Sequence, residues 1–227
     1  MKLSLKKYRQ IIKFKKFLNF NDFDLITNYG LFSGDNNLFK TLQIFKLVLM
    51  AKSVRGDIIE LGVHNGNTSL LIKKILDIFH INKKLFLLDH FKGLITYQKK
   101  DTKASIKFFG KYKGYQKNIK KFLNFFNFKN VKFIKVDATK IGNNFFKNKV
   151  FSLAYFDMDL YLPTIKALEA INKNINIGGI IVFDQGYKKL FAEKKAINEF
   201  LKKNKNFKKI IIDKKRQPDV ILKKIRH

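Results

Sequence analysis

Five acidic residues stand where a short apolar run gives way to a polar turn: Glu60, Asp89, Asp137, Asp157 and Asp184. The chain holds only 17 acidic residues against 48 basic ones, so their recurrence at one kind of position points to a site. Carboxylates at strand ends accept hydrogen bonds from hydroxyls and amines, attract ammonium groups and gather hard cations. Glu60 lies in the most informative stretch, Asp57 to Leu70. There a β-branched run is followed by Gly62 and Gly66 and then by an apolar, helix-like segment. Such a strand, turn and helix bring backbone N–H groups and a helix N-terminus to a ligand. A carboxylate at Glu60 suits a ligand with positive charge or free N–H and O–H donors, and suits a bare pyrophosphate poorly. The spacing is neither GxGxxG nor the Walker pattern. An ordinary βα turn, whose glycines only permit tight geometry, accounts for these residues equally well.

Asp89 ends a second apolar run, where an acid commonly accepts from a ribose diol; NAD, FAD and S-adenosylmethionine all satisfy it. Asp137 ends a third, placed to meet the exocyclic amine of adenine. Together Glu60, Asp89 and Asp137 describe an adenosine pocket with an acid at its amino-acid end. That end matches the ammonium of S-adenosylmethionine, and the missing GxGxxG argues against a pyrophosphate cofactor. A second constellation is Phe156–Tyr161 with Phe183–Tyr187. Strand alternation puts Asp157 and Asp159 on one side, and Asp184 falls at the mouth of a neighbouring strand. Oxygens gathered at two strand ends suit Mg²⁺, which lowers the pKa of a bound hydroxyl and orients it. Asp159 or Asp184 then serves as base. A cap on the following helix is the competing role for Asp157.

The elements that must position these acids follow from periodicity. Leu38–Met50 reads as a helix, after which strands and helices alternate. Strands are expected at Asp57–Leu61, Lys84–Asp89, Val131–Asp137, Phe151–Asp157, Gly178–Asp184, Lys209–Asp213 and Asp219–Leu222. Helices are expected at Thr68–Phe79, Pro163–Lys173 and Phe191–Leu201. The pattern is α/β, a mostly parallel sheet of seven strands covered on both faces, with ligands outside the strands' carboxyl ends. Residues 1–50 form an N-terminal helical cap or oligomerisation segment, and 51–227 the cofactor-binding domain. A polar, then aromatic insertion at 92–121 has the character of a lid or substrate loop. Its Tyr97, Phe108, Phe109 and Tyr112 form a wall for a sugar ring, or simply pack.

The chain of 227 residues has no cysteine, which excludes disulfides and thiolate metal sites and fits a reducing compartment. Its formal net charge is +31. Affinity for nucleic acid or an anionic membrane face is one explanation. An AT-rich genome is the other: Lys, Asn, Ile and Phe abound, Trp is absent and Pro occurs twice. The lysines run along the whole chain, whereas a nucleic-acid footprint clusters, so compositional bias is favoured. Residues 1–18 lack the h-region and cleavage site of a secretory signal; as a basic amphipathic helix they would lie on a membrane or, more commonly for such a helix, pack on their own domain or a second subunit. No stretch approaches transmembrane length. A cytoplasmic protein without membrane insertion is expected, with a homodimer as its assembly.

Four segments occur in the order found in macrocin-type O-methyltransferases, which the chain resembles. They are Glu60–Ser69, Leu88–Gly93, Asp157–Tyr161 and Gly178–Asp184. The resemblance spans roughly Gly56 to Phe200 and implies a class I methyltransferase fold of Rossmann-like type. It implies methylation of a sugar hydroxyl by S-adenosylmethionine with Mg²⁺. It further implies that Glu60, Gly62 and Ser69 line the methionine end of the cofactor, Asp89 and His90 the ribose, and Asp137 with Ala138 the adenine, with Asp157 counted among the cofactor residues. Metal ligands are implied at Asp159, Asp184 and Gln185, although the family usually has a second acid where Gln185 stands. His64 and His90 lie near the pocket, and His64 joins Asp159 as a candidate base. The expected activity is therefore O-methylation of a sugar, glycan or other small molecule. The competing readings are an RNA methyltransferase, suggested by the charge, and a non-catalytic interaction module, suggested by Gln185.

Overall fold

A computed structural model describes residues 21–27, 30, 33–187 and 192–226. The amphipathic helix expected within residues 1–18 and the first residue of the helix expected from Phe191 lie outside them. The chain divides into two compact units, Met1–Gln43 and Ile44–His227. In the first, helix α1 (Asp22–Thr27) opens on a reciprocal cap. Asn21 N–H donates to Asp24, and Asp24 N–H donates to the Asn21 side chain. Helix α2 (Asp35–Lys52) continues past the division, and from Ile44 onward its Ile44, Leu47, Val48 and Ala51 are buried.

The second unit is built on a sheet of β1 (Asp57–Leu61), β2 (Leu85–Asp89), β3 (Val131–Lys135), β4 (Phe151–Phe156), β5 (Ile175–Phe183), β6 (Phe207–Ile211) and β7 (Val220–Lys224). The spatial order is β3-β2-β1-β4-β5-β7-β6. Strands β1 to β5 are parallel, and β7 runs antiparallel between β5 and β6. This is the α/β fold of class I methyltransferases. Helices α3 (Asn67–Ile78), α4 (Lys103–Ile106), α5 (Gln116–Phe125), α6 (Tyr161–Ile171) and α7 (Glu193–Lys203) complete it.

Strand alternation sorts the core into two layers. Ile58, Leu85, Leu87, Leu153, Tyr155 and Val182 pack on one face with Ile72 and Leu76 of α3 and Ile119 and Leu123 of α5. Ile59, Leu61, Phe86, Leu88, Phe156 and Phe183 pack on the other with Ala167, Leu168, Ile197 and Phe200 of α6 and α7. Apolar residues on both faces are what a double-covered parallel sheet requires.

Most boundaries differ from expectation by one to three residues, with β6 beginning two residues early at Phe207, and two of the differences have local reasons. Strand β5 begins at Ile175, because Gly178 (φ +80°) lets the strand kink and continue at a register shift against β4. Helix α6 begins at Tyr161, so Pro163 sits third in the first turn, where its missing N–H is still harmless. Asp157 does not cap that helix. Asp101, from the insertion, accepts the Tyr161 N–H at 2.7 Å instead.

The order of strands reverses at β1, which has β2 on one side and β4 on the other. Ligands enter α/β sheets at such a point. Here the turn after β1 meets the turn after β4 backbone to backbone. A Cβ on Gly62 (φ +87°) would stand 2.0 Å from the Asp157 carbonyl oxygen. Gly62→Ala therefore clashes and strains at once, and should cost roughly 2–4 kcal/mol. Gly142→Ala, with nothing within 4 Å of its Cβ, should change stability by less than about 0.5 kcal/mol. Urea unfolding of both variants checks the contrast.

Candidate functional site

Every acid singled out at a strand end lies at the carboxyl edge of the sheet, at or just beyond the end of β1 to β5. Glu60, on the last turn of β1, is buried, and the Ser69 hydroxyl from the first turn of α3 donates to it. Asp89 closes the turn after β1. Its Oδ2 accepts the N–H groups of Val63 (2.8 Å) and His64 (2.9 Å), and its Oδ1 accepts that of Phe91 at 2.6 Å. The turn is thus held open by a carboxylate as well as by Gly62 and Gly66, the latter in left-handed conformation as the N-cap of α3. Asp137 caps the 3₁₀ turn Ala138–Lys140, accepting the N–H (2.9 Å) and hydroxyl (2.7 Å) of Thr139. Burial pushes its carboxyl up, but the Thr139 bonds and the charges of His90 and Lys140 outweigh that and hold it below the usual range. His90 Nδ1 accepts the Lys92 N–H at 2.9 Å.

At the ends of β4 and β5 the chain makes its densest acidic cluster. Asp159 is buried and left-handed (φ +60°), a region that Asp tolerates better than most residues. The Gln185 amide donates to its Oδ1 at 3.2 Å, so these two expected ligands stand side by side. Asp184 Oδ1 accepts the hydroxyl of Tyr155, which is fully buried on β4. Burial and the nearby Asp184 drive the Tyr155 phenol well above its ordinary range, so it serves as a fixed donor. His64, the other candidate base, turns its ring edge-on to Tyr112 at 5.7 Å.

The residue that organises this cluster is Glu193, which sequence reasoning missed. It opens α7 and is completely buried. Oε1 accepts the N–H groups of Met158 (3.0 Å) and Asp159 (3.3 Å), and Oε2 accepts that of Gln185 at 3.2 Å. One carboxyl therefore ties the loops after β4 and β5 together. Burial raises it well above the usual carboxylate range, reinforced by Asp159, Asp157 and Asp184, with the Met158 N–H pulling the other way.

The insertion reaches the same edge. A Cβ on Gly114 would meet the His64 carbonyl oxygen at 2.2 Å, so the two backbones touch. Tyr97 and Tyr112 both feel the charge of Asp159: burial comes first in raising their phenols, and Asp159 adds to it. Phe108 stacks on Tyr112 at 5.7 Å, and Tyr97 meets Phe109 at 5.5 Å. These aromatics of the insertion form a packed group within electrostatic reach of Asp159. A clasp pins it down: Lys100 donates to Tyr161 (2.7 Å) and Glu199 (2.9 Å), and Tyr161 donates to Glu199.

The sequence pattern of the macrocin O-methyltransferase (TylF) family matches residues 33–215. The chain belongs to that family. Membership makes it a methyltransferase, with S-adenosylmethionine as methyl donor. Solved structures agree in fold. CalS11, a calicheamicin methyltransferase, aligns over 96% of this chain and 91% of its own at TM-score 0.75 and 18% identity. The O-methyltransferase NovP aligns over 82% and 79% at 0.68 and 18%. A putative methyltransferase from Streptococcus mutans, in complex with SAH, aligns over 85% and 99% at 0.53 and 16%. No curated protein sequence matches the chain.

Glu193→Ala would leave three N–H groups, two of them buried, without this acceptor and should cost about 3 kcal/mol or more. Because the folded-state carboxyl is raised, its contribution is complete below the ordinary value near 4.5 and fades as pH climbs through the folded value. Glu193→Gln cannot ionise and lacks that loss. Its melting temperature relative to wild type should therefore rise between pH 4.5 and neutrality, as scanning calorimetry across that range would measure.

Proposed function

We propose that this TylF-family member transfers a methyl group from S-adenosylmethionine to a hydroxyl of a sugar or glycan, with Asp159 as the general base. The carrying observation is Asp159 itself, a buried carboxylate at the switch-point edge whose charge reaches Tyr97 and Tyr112 of the insertion. The resemblance in fold to CalS11, described in its apo form as a TDP-rhamnose 3′-O-methyltransferase, supports a sugar acceptor.

The donor set fits the cofactor. Glu60, aligned by Ser69, offers its carboxylate to the ammonium group, and Gly62 lets the turn after β1 pack on the Asp157 backbone beside the methionine end. Asp89 and His90 face the ribose edge, while Asp137 and Ala138 close the adenine side, with Asp157 flanking the cofactor. When bound, S-adenosylmethionine supplies an electrophilic methyl on a sulfonium. The chain's own contribution is to align the acceptor hydroxyl against the aromatic wall, exclude water beneath the clasped insertion, and take the hydroxyl proton on a carboxylate oxygen of Asp159. His64, turned to Tyr112, acts as a lining group under this reading.

For Mg²⁺ the set fits an open site. Among the described residues no three His, Cys, Asp or Glu side chains converge as a metal cluster. Mg²⁺ needs only one or two carboxylates and otherwise keeps water. Asp159 and Asp184 would supply these, and Gln185 an oxygen once its amide turns over. The ion would lower the acceptor hydroxyl's pKa. The N-terminal 1–50 segment is proposed as a cap that supports a homodimer, and the protein as cytoplasmic.

Calorimetry with S-adenosylhomocysteine should give a dissociation constant on the order of 1–50 μM. Asp89→Ala, which frees three N–H donors of the cofactor turn, should weaken it by about thirtyfold or more. Failure of the wild type to bind would favour a non-catalytic role for the fold. Gln185→Asp should tighten Mg²⁺ by about tenfold in a direct titration, because the site gains a negative charge; unchanged affinity would remove Gln185 from the metal shell.

A further inference from the structure

From Thr102 to Val136 the chain carries ten lysines and no acidic residue. The positive charge is thus spread over the chain but locally unopposed, and the later part of this run, in α5 and β3, lies along one border of the sheet. Strand β3 is the edge strand, with Lys132 and Lys135 exposed, and α5 packs its Ile119 and Leu123 against the core beside it. Lys120 of α5 leans over the Phe133 ring of β3 at 5.5 Å.

The outer face of α5 is divided. At 100° per residue Lys117, Lys120 and Lys121 occupy one flank, while Phe122 and Phe125 occupy the other. Phe122 is 51% exposed and Phe125 80%. Phe126 follows at the C-cap, and Lys74 of α3 lies over its ring at 4.4 Å, which joins the apolar flank to the end of α3. One turn beyond Lys74, Ile78 is 67% exposed. The acid beside this patch, Asp77, is paired with Lys73. Two helix ends therefore present large apolar tips on a surface rimmed by lysines.

We propose that this face, centred on Phe122, Phe125 and Ile78, docks the protein peripherally on an anionic lipid surface. Apolar tips enter the interface between headgroups and acyl chains, and the lysine flank meets the negative surface. Charge complementarity selects that occupant. A second copy of the chain would set one lysine rim against another. A single-stranded nucleic acid is tracked by stacking rings, whereas this patch includes the aliphatic tip of Ile78. Among the described residues no helix is long and apolar enough to cross a membrane, so docking would be superficial and salt-sensitive.

The test is co-sedimentation of the full chain with vesicles of phosphatidylcholine alone or with about one third phosphatidylglycerol. Binding should be at least about tenfold tighter to the anionic vesicles and should weaken with salt. The double variant Phe122→Ser and Phe125→Ser leaves the charge untouched and should lose at least about tenfold. Its melting temperature and S-adenosylhomocysteine affinity should match wild type, because both rings are already exposed. Lys117→Gln with Lys121→Gln should weaken binding and flatten the salt dependence. Equal binding to both vesicles, absence of binding, or undiminished binding by the serine variant would overturn the proposal. So would a single-stranded RNA oligonucleotide that binds more tightly than the vesicles and loses affinity in the same variants.

Discussion

The whole site depends on one backbone contact. The turn after β1 and the turn after β4 come so close at Gly62 that no side chain fits between them and the Asp157 carbonyl. The Asp157 N–H also donates to the Leu61 carbonyl at 2.9 Å, so the two strand ends stay paired up to the point where their turns diverge. That pairing sets the distance between the proposed cofactor side of the edge, with Glu60 and Asp89, and the proposed acceptor side, with Asp159 and Asp184. Methyl transfer requires donor and acceptor within a narrow range of separation, and rigid backbone is the means of holding it.

On the acceptor side the constraint is electrostatic. Asp157, Asp159, Asp184 and Glu193 share one small volume, and each raises the energy of ionising Glu193. The fold meets that cost with backbone dipoles: three N–H groups converge on Glu193, and Tyr155 donates to Asp184. A buried carboxyl with satisfied partners is tolerated, where an unpartnered one would not be. The arrangement also explains how Asp159 can remain in a left-handed conformation. Its N–H is fixed by Glu193 and its carbonyl accepts the Ala192 N–H at 3.1 Å, so the start of α7 grips the residue from both sides.

Much of this was legible from residue order. The β1 boundaries follow from Asp57–Leu61 alone, because a β-branched run between a charged residue and a glycine admits few other readings. The acids at strand ends were visible because acids are scarce in this chain. Glu193 was not, since at sequence level it is an ordinary acid in the first turn of a helix, where the dipole already accounts for it. Its burial depends on how α7 meets two loops distant in sequence. Asp89 was read as a ribose acceptor, yet two of its three bonds reach the turn after β1 and need three-dimensional proximity across 26 and 25 residues. The same limit hid the role of Asp101, whose bond to Tyr161 spans 60 residues.

The insertion joins these two sides. Gly114 rests on the turn after β1 while Asp101 and Lys100 reach α6 and α7, so one segment bridges both flanks of the crevice. The exposed Lys100–Glu199 pair contributes little to global stability, because solvent screens such pairs. Asp101 is different in kind: it supplies the cap that α6 otherwise lacks, and α6 begins two residues after Asp159. Lifting the insertion would therefore uncap the helix that follows the proposed base. Coverage of the acceptor and alignment of the carboxylate are in this way coupled, and a change that opens the crevice must also loosen the residue that works within it.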